Sequence, residues 1–190
     1  MNKFVLLATT LIVFIFVFYN LGSNQKRIIN QPPPSVTAQL SPTFSQRTKT
    51  SGCISINGLP DKACTPGDTD PKVTQDNIQQ TICVSGYTKT VRPPVSYTDK
   101  LKVELMKEYG DTDSPSNFEL DHLISLELGG NPTSEANLWP ESYNTALNAR
   151  EKDKVENYLH GQVCSGKMNL QQAQLQISNN WTSVYQQIQH

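Results

Sequence analysis

Phe118-Glu119-Leu120-Asp121-His122-Leu123-Ile124-Ser125-Leu126-Glu127-Leu128-Gly129-Gly130, followed by Asn137-Leu138-Trp139-Pro140, is the stretch whose reading decides the fold. Phe118–Leu128 is strand-like, and Gly129-Gly130-Asn131-Pro132 predicts a tight turn. Asn137-Leu138-Trp139 predicts a short second strand, ended by Pro140. A helix is expected from about Asn144 to Gln162, with Val155, Tyr158, Leu159 and Val163 on its inner side. Strand, turn, strand and helix in one short run give an α+β class. Alternation sets a condition on the polar residues. On a flat strand, His122 lies with Leu120, Ile124, Leu126 and Leu128, whereas Asp121 lies with Glu119 and Glu127. Asp121 and His122 therefore serve one site only if the strand ends or twists there.

With Asp121-His122, Gly129-Gly130 and Asn137 in this order, the segment resembles the HNH endonuclease family. That family is a strand–loop–strand–helix unit around one divalent metal, a ββα-metal fold. His122 and Asn137 stand fifteen residues apart, the family's spacing. The resemblance covers about forty residues, a core motif at 118–160. It implies a disulfide-stapled α+β domain with an HNH-like core and flanking helices. It also implies hydrolysis of phosphodiester bonds in nucleic acid, DNA before RNA. His122 would be the general base, since imidazole titrates near neutrality. Asn137 would tie down the loop that orients it. A hard cation, Mg²⁺ first with Mn²⁺ or Zn²⁺ as alternatives, would sit on Asp121 and on a helix ligand. The family position for that ligand falls on Ala146, which cannot bind metal; Asn148 and Asn144 flank it, and Asp153 and Glu156 are further candidates. Arg150, Lys152 and Lys154 could meet phosphates, although a solvated charged face is the commoner arrangement.

Outward from this core, Ser96–Tyr109 predicts a helix with Leu101, Leu105 and Tyr109 on one stripe and Gly110 as its stop. Thr74 is a predicted N-cap, with Val73 and Ile78 as a hydrophobic staple and a short helix to about Thr81. A strand is expected near Tyr87–Val91. At the C-terminal side, Leu170, Ala173, Ile177, Trp181, Val184 and Ile188 repeat at helical spacing and predict core. The four cysteines form no CxxC and no zinc-finger spacing with histidine. Cys53 and Cys64 enclose turn residues and are expected to join. Cys83 would then pair with Cys164, a crosslink worth on the order of 4 kcal/mol in the loop-entropy account.

Phe4–Tyr19 is almost unbroken apolar sequence behind Lys3. It reads as an export signal, either cleaved or kept as a membrane anchor, over residues 1–23. Residues 24–52, with Pro32-Pro33-Pro34 and many Ser, Thr and Gln, read as a disordered tether, so the folded domain is expected at 53–190. Domain 53–190 should then face an oxidising space outside the cytoplasm. Net charge is −1, but all 17 acidic residues follow residue 60. Five of the 16 basic residues precede residue 52, which leaves 11 against 17 and a balance of −6 for the remainder. Such a balance excludes nucleic-acid attraction by bulk field and demands a local basic patch. It also favours an alternative function, a non-catalytic binding domain that keeps the fold. No carboxylate pair stands out for a third reading, glycan hydrolysis.

Overall fold

A computed structural model describes residues 44–190. The expected signal or anchor and residues 24–43 of the expected tether lie outside the described residues. Among the described residues, no helix is long and apolar enough to cross a membrane. Residues 44–52, expected as the end of the tether, instead run extended against the domain. Thr48 N donates to the Ala63 carbonyl (2.8 Å), and Arg47 pairs with both Glu108 and Glu135. Phe44 packs against the main core. The packed chain therefore reaches back beyond the expected boundary at Cys53. One apolar anchor, Arg47 between two carboxylates and Lys49 on Asp61 (2.9 Å) tie down a segment whose composition is otherwise polar.

Four α-helices and one two-stranded sheet carry the described fold: α1 (Tyr87–Val91), α2 (Val95–Tyr109), β1 (Phe118–His122), β2 (Leu138–Ser142), α3 (Ala149–Cys164) and α4 (Leu170–Ile188). The predicted α4 stripe is buried from Leu170 to Val184, and Ile188 is packed at its edge. It meets Val155, Leu159 and Val163 of α3, together with Val73, Ile78, Ile82, Ile124 and Leu128. Burying each of these side chains contributes about 1.5–3 kcal/mol. Trp181 also donates its indole N–H to the Gly58 carbonyl at 2.7 Å, so its polar edge is satisfied. Asn180 leaves the helical region, and its Oδ1 accepts from Ser183 N (3.1 Å), capping the last turns afresh. Tyr158, expected on the inner side of α3, is exposed; three buried residues complete that stripe without it.

Both expected disulfides are present, Cys53–Cys64 and Cys83–Cys164. Val73 and Ile78 are buried around a 3₁₀ segment, Gln75–Gln80, in place of an α-helix, and Thr74 N donates to Asn77 Oδ1 (2.9 Å). Tyr87–Val91 is helical, not a strand. None of its residues is fully buried, and no neighbouring strand offers it a ladder, so local hydrogen bonding wins. The α2 helix follows its prediction within a residue and stops at Gly110, whose φ of 70° suits glycine.

β1 and β2 pair antiparallel, with Asp121 opposite Trp139 and His122 opposite Leu138. β2 runs through Pro140 instead of ending there. Leu123 N donates to the Asn137 carbonyl (2.8 Å) and Tyr143 N to the Asn117 carbonyl (2.9 Å). The hydrogen-bonded pairs therefore fall on odd-numbered residues, and Leu120–Pro140 is a non-hydrogen-bonded pair that loses nothing from the missing N–H. β1 is shorter than expected. It ends at His122, and Leu126–Leu128 forms a 3₁₀ turn closed by Gly129 at φ 71°.

Candidate functional site

Asp121 and His122 are both buried at the end of β1 but enter different surroundings: Asp121 meets Lys152 beside α3, and His122 borders a separate cleft. The loop that follows is fixed by Asn137, which is fully buried. Its Oδ1 accepts from Ile124 N (2.9 Å), and its Nδ2 donates to the carbonyls of Ile124 (3.0 Å) and Asn131 (3.2 Å). One amide thus closes the turn two residues beyond His122. The turn is tight enough that a Cβ on Gly130 would lie 1.7 Å from the Ile124 carbonyl oxygen, which no side chain permits.

The His122 ring is 6% exposed. Its Nε2 lies 3.1 Å from the Pro132 carbonyl oxygen. A carbonyl only accepts, so Nε2 carries the proton and Nδ1 keeps its lone pair. Burial pushes the His122 pKa below its usual value, although the Pro132 carbonyl and the Asp121 charge pull the other way. The neutral ring is therefore the favoured form.

His122 borders a cleft of about 250 Å³, which Arg92, Lys102, Glu119 and Tyr143 also line. Tyr143 donates to Glu119 Oε2 (2.8 Å), and Lys102 reaches the Phe118 carbonyl (3.3 Å). Arg92 is exposed and makes no ion pair among the described residues. The cleft thus joins a neutral imidazole to two cations from α2 and the turn before it. A larger hollow of about 450 Å³ holds Asp111 and Glu141 but no cation and no histidine.

Asp121 faces away from solvent into a charged corner beside α3. Its Oδ2 is 2.7 Å from Lys152 Nζ. Lys152 Nζ also donates to the His122 carbonyl oxygen (2.8 Å) and pairs with Glu156. Burial opposes the charge on Asp121, but the Lys152 ammonium overrides it and holds the carboxyl below its ordinary range. Glu141, 1% exposed, makes no hydrogen bond of good geometry with either carboxyl oxygen. Burial and then the neighbouring Asp121 charge push its pKa well above the ordinary value. Burial also raises Glu156 to about 8 against the pull of Lys152.

Of the expected helix ligands, Glu156 enters this corner through Lys152, whereas Asn148 and Asn144 lie apart from it. Asn148 caps α3: its Oδ1 accepts from Arg150 N (2.9 Å) and its Nδ2 donates to the Thr145 carbonyl (2.8 Å). Asn144 is exposed, and its backbone N donates to Ser142 Oγ (3.0 Å). Neither amide is bonded to Asp121 or His122. Of the three expected phosphate-facing bases, Arg150 stacks over Tyr143 (5.3 Å), Lys154 pairs with Glu151 (2.6 Å) and Lys152 is sealed inside. Sequence reasoning missed Glu141 and the buried position of Lys152. The signal was there: Lys152 and Glu156 fall on the same helical stripe as Val155, Leu159 and Val163. Cys83, His160 and Cys164 also cluster, but both sulfurs are spent in the disulfide, and His160 Nε2 lies 2.9 Å from the Ile82 carbonyl oxygen. Comparison with protein families, with curated proteins and with solved structures finds no match to this chain.

Proposed function

We propose that this chain is an endonuclease of the HNH type that hydrolyses phosphodiester bonds, DNA before RNA, with His122 as general base. The observation that carries the reading is the strand end itself. A neutral histidine, oriented through Nε2 at the end of β1 and followed by a loop clamped by Asn137, borders a cleft with Arg92 and Lys102. In the reaction, His122 Nδ1 takes a proton from water as the water oxygen bonds to phosphorus. The bond from phosphorus to the leaving sugar oxygen breaks, and solvent protonates that oxygen. Arg92 and Lys102 supply positive charge to the phosphate, in a cleft that Asp99 and Glu119 also line. The two disulfides suit an oxidising location.

The first ligand set expected for a divalent metal, Asp121 with Asn148 or Asn144, does not fit, and of the further candidates Asp153 and Glu156, Glu156 is held by Lys152. Asn148 is committed to capping, Asn144 is out in solvent, and the Asp121 carboxylate is taken by Lys152. That same lysine, with the net acidic balance, is what favours a second reading, a binding domain without cleavage. Incubation of the full chain with plasmid DNA, in Mg²⁺ and in EDTA, separates the two. His122→Ala is expected to slow cleavage on the order of 10²–10⁴-fold while thermal unfolding stays close to wild type. Full activity in that variant, or intact plasmid with the wild type, rejects the nuclease reading.

A further inference from the structure

The charged corner between β1 and α3 already holds a cation, and its geometry says which kind of ion the pocket is built for. A lysine ammonium has three N–H donors. Lys152 donates to the His122 carbonyl oxygen (2.8 Å) and to Glu156 Oε1, and its ammonium forms an ion pair with Asp121 Oδ2 at 2.7 Å. Its side chain is 1% exposed, so no water competes for these donors. The carboxyl groups of Asp121 and Glu156 and a backbone carbonyl offer the oxygen donors that a hard divalent ion such as Mg²⁺ or Mn²⁺ takes. A third carboxyl, Glu141, is buried in the same corner, with neither oxygen in a hydrogen bond of good geometry.

Two cations cannot share one small set of lone pairs. Lys152 also cannot withdraw by moving its backbone, because Val155 and Leu159 on the same helix are buried in the main core. We propose that the Lys152 ammonium is the resident cation of this corner, standing between Asp121, Glu156 and the His122 carbonyl oxygen where a divalent metal would otherwise bind. The wild-type chain then takes no divalent ion there, and removing the ammonium uncovers a latent hard-cation site. Lys152 acts as a positioning residue: it holds the carbonyl of the residue whose ring borders the cleft. The inference rests on the geometry of the corner and not on the cleavage reading. It is read by binding and unfolding, so either can fail alone.

The test titrates Mn²⁺ into full-length wild type, Asp121→Asn and Lys152→Met, following free Mn²⁺ by electron paramagnetic resonance and unfolding by calorimetry. Wild type is expected to bind no Mn²⁺ at Asp121 up to millimolar concentration and to melt at one temperature in Mn²⁺ and in EDTA. Lys152→Met is expected to melt earlier in EDTA, to bind one Mn²⁺ and to recover part of its melting temperature. Adding Asp121→Asn to that variant should abolish the recovery. One Mn²⁺ bound by wild type and lost in Asp121→Asn overturns the proposal. So does a folded Lys152→Met protein that gains nothing from Mn²⁺. Should Lys152→Met not fold, the wild-type and Asp121→Asn titrations decide the matter.

Discussion

Helix α3 buries two kinds of surface within the same few turns. Val155, Leu159 and Val163 sink into apolar contacts with α4 and the Val73–Ile82 segment, while Lys152 and Glu156 enter a corner of carboxylates beside β1. The apolar side is stabilised by area, which is non-directional and adds up residue by residue. The charged side depends on every partner being present, because a buried ion left without its counter-ion costs more than the pair ever contributed. The apolar side therefore fixes where α3 lies, and the charged side fixes what the end of β1 looks like.

Asp121→Ala should have the largest effect, because it leaves the Lys152 ammonium buried with one carboxylate fewer. A loss of about 3–5 kcal/mol in urea unfolding is expected. A loss under about 1 kcal/mol, the range of exposed pairs, would break the comparison by placing the corner in effective contact with water. Further along the same inward stripe, Leu159→Ala should cost about 3 kcal/mol, through lost transfer energy and the cavity left behind. Leu159→Met should cost less than about 1.5 kcal/mol, since the apolar side tolerates conserved volume. No such conservative exchange is expected to rescue Asp121. Equal tolerance on both sides, by the same unfolding measurement, would dissolve the distinction.

The smallest effect concerns pH. Burial lowers the His122 pKa, so the folded state binds fewer protons at this ring than the unfolded state does. Its contribution to stability is complete above the ordinary histidine value of about 6.5 and is lost as pH falls through the folded pKa. The base stays neutral over the same interval. A cleavage profile should therefore hold its plateau as pH drops through about 6.5 and decline only below it. A profile already half lost above that value would contradict the buried, neutral ring.

These two surfaces were unequally legible. The α4 stripe, the Gly110 stop and the Cys83–Cys164 pairing follow from periodicity, a left-handed cap and elimination among four cysteines, all local or countable. The clamp by Asn137 came from resemblance, and the loop hydrogen bonds now give it a physical basis. Lys152 was hidden by its neighbours: between Arg150 and Lys154 it reads as one more solvated base, and only the inward stripe of α3 distinguishes it. Asn148 misled for the opposite reason. An asparagine just before a helix suits a metal ligand by residue type, but its short amide satisfies the helix's own first N–H groups more cheaply. The length of β1 was beyond local reading, because its end is set by Asn137, thirteen residues from Ile124 along the chain.

The cystine between Cys83 and Cys164 also sets an order of events during synthesis. A chain delivered N-terminus first presents Cys53 and Cys64 together, eleven residues apart, and they can close at once. Cys83 must then wait for another 81 residues, through the whole of β1, β2 and α3. During that interval it is an odd thiol beside a freshly made disulfide, the arrangement that favours exchange. Correct assembly thus depends on Cys53–Cys64 being sequestered early under Tyr109, Leu123 and Trp139, two of which are themselves made late. Cys83–Cys164 is consequently the crosslink whose two sulfurs are separated longest during synthesis, and it closes much the longer loop of the two.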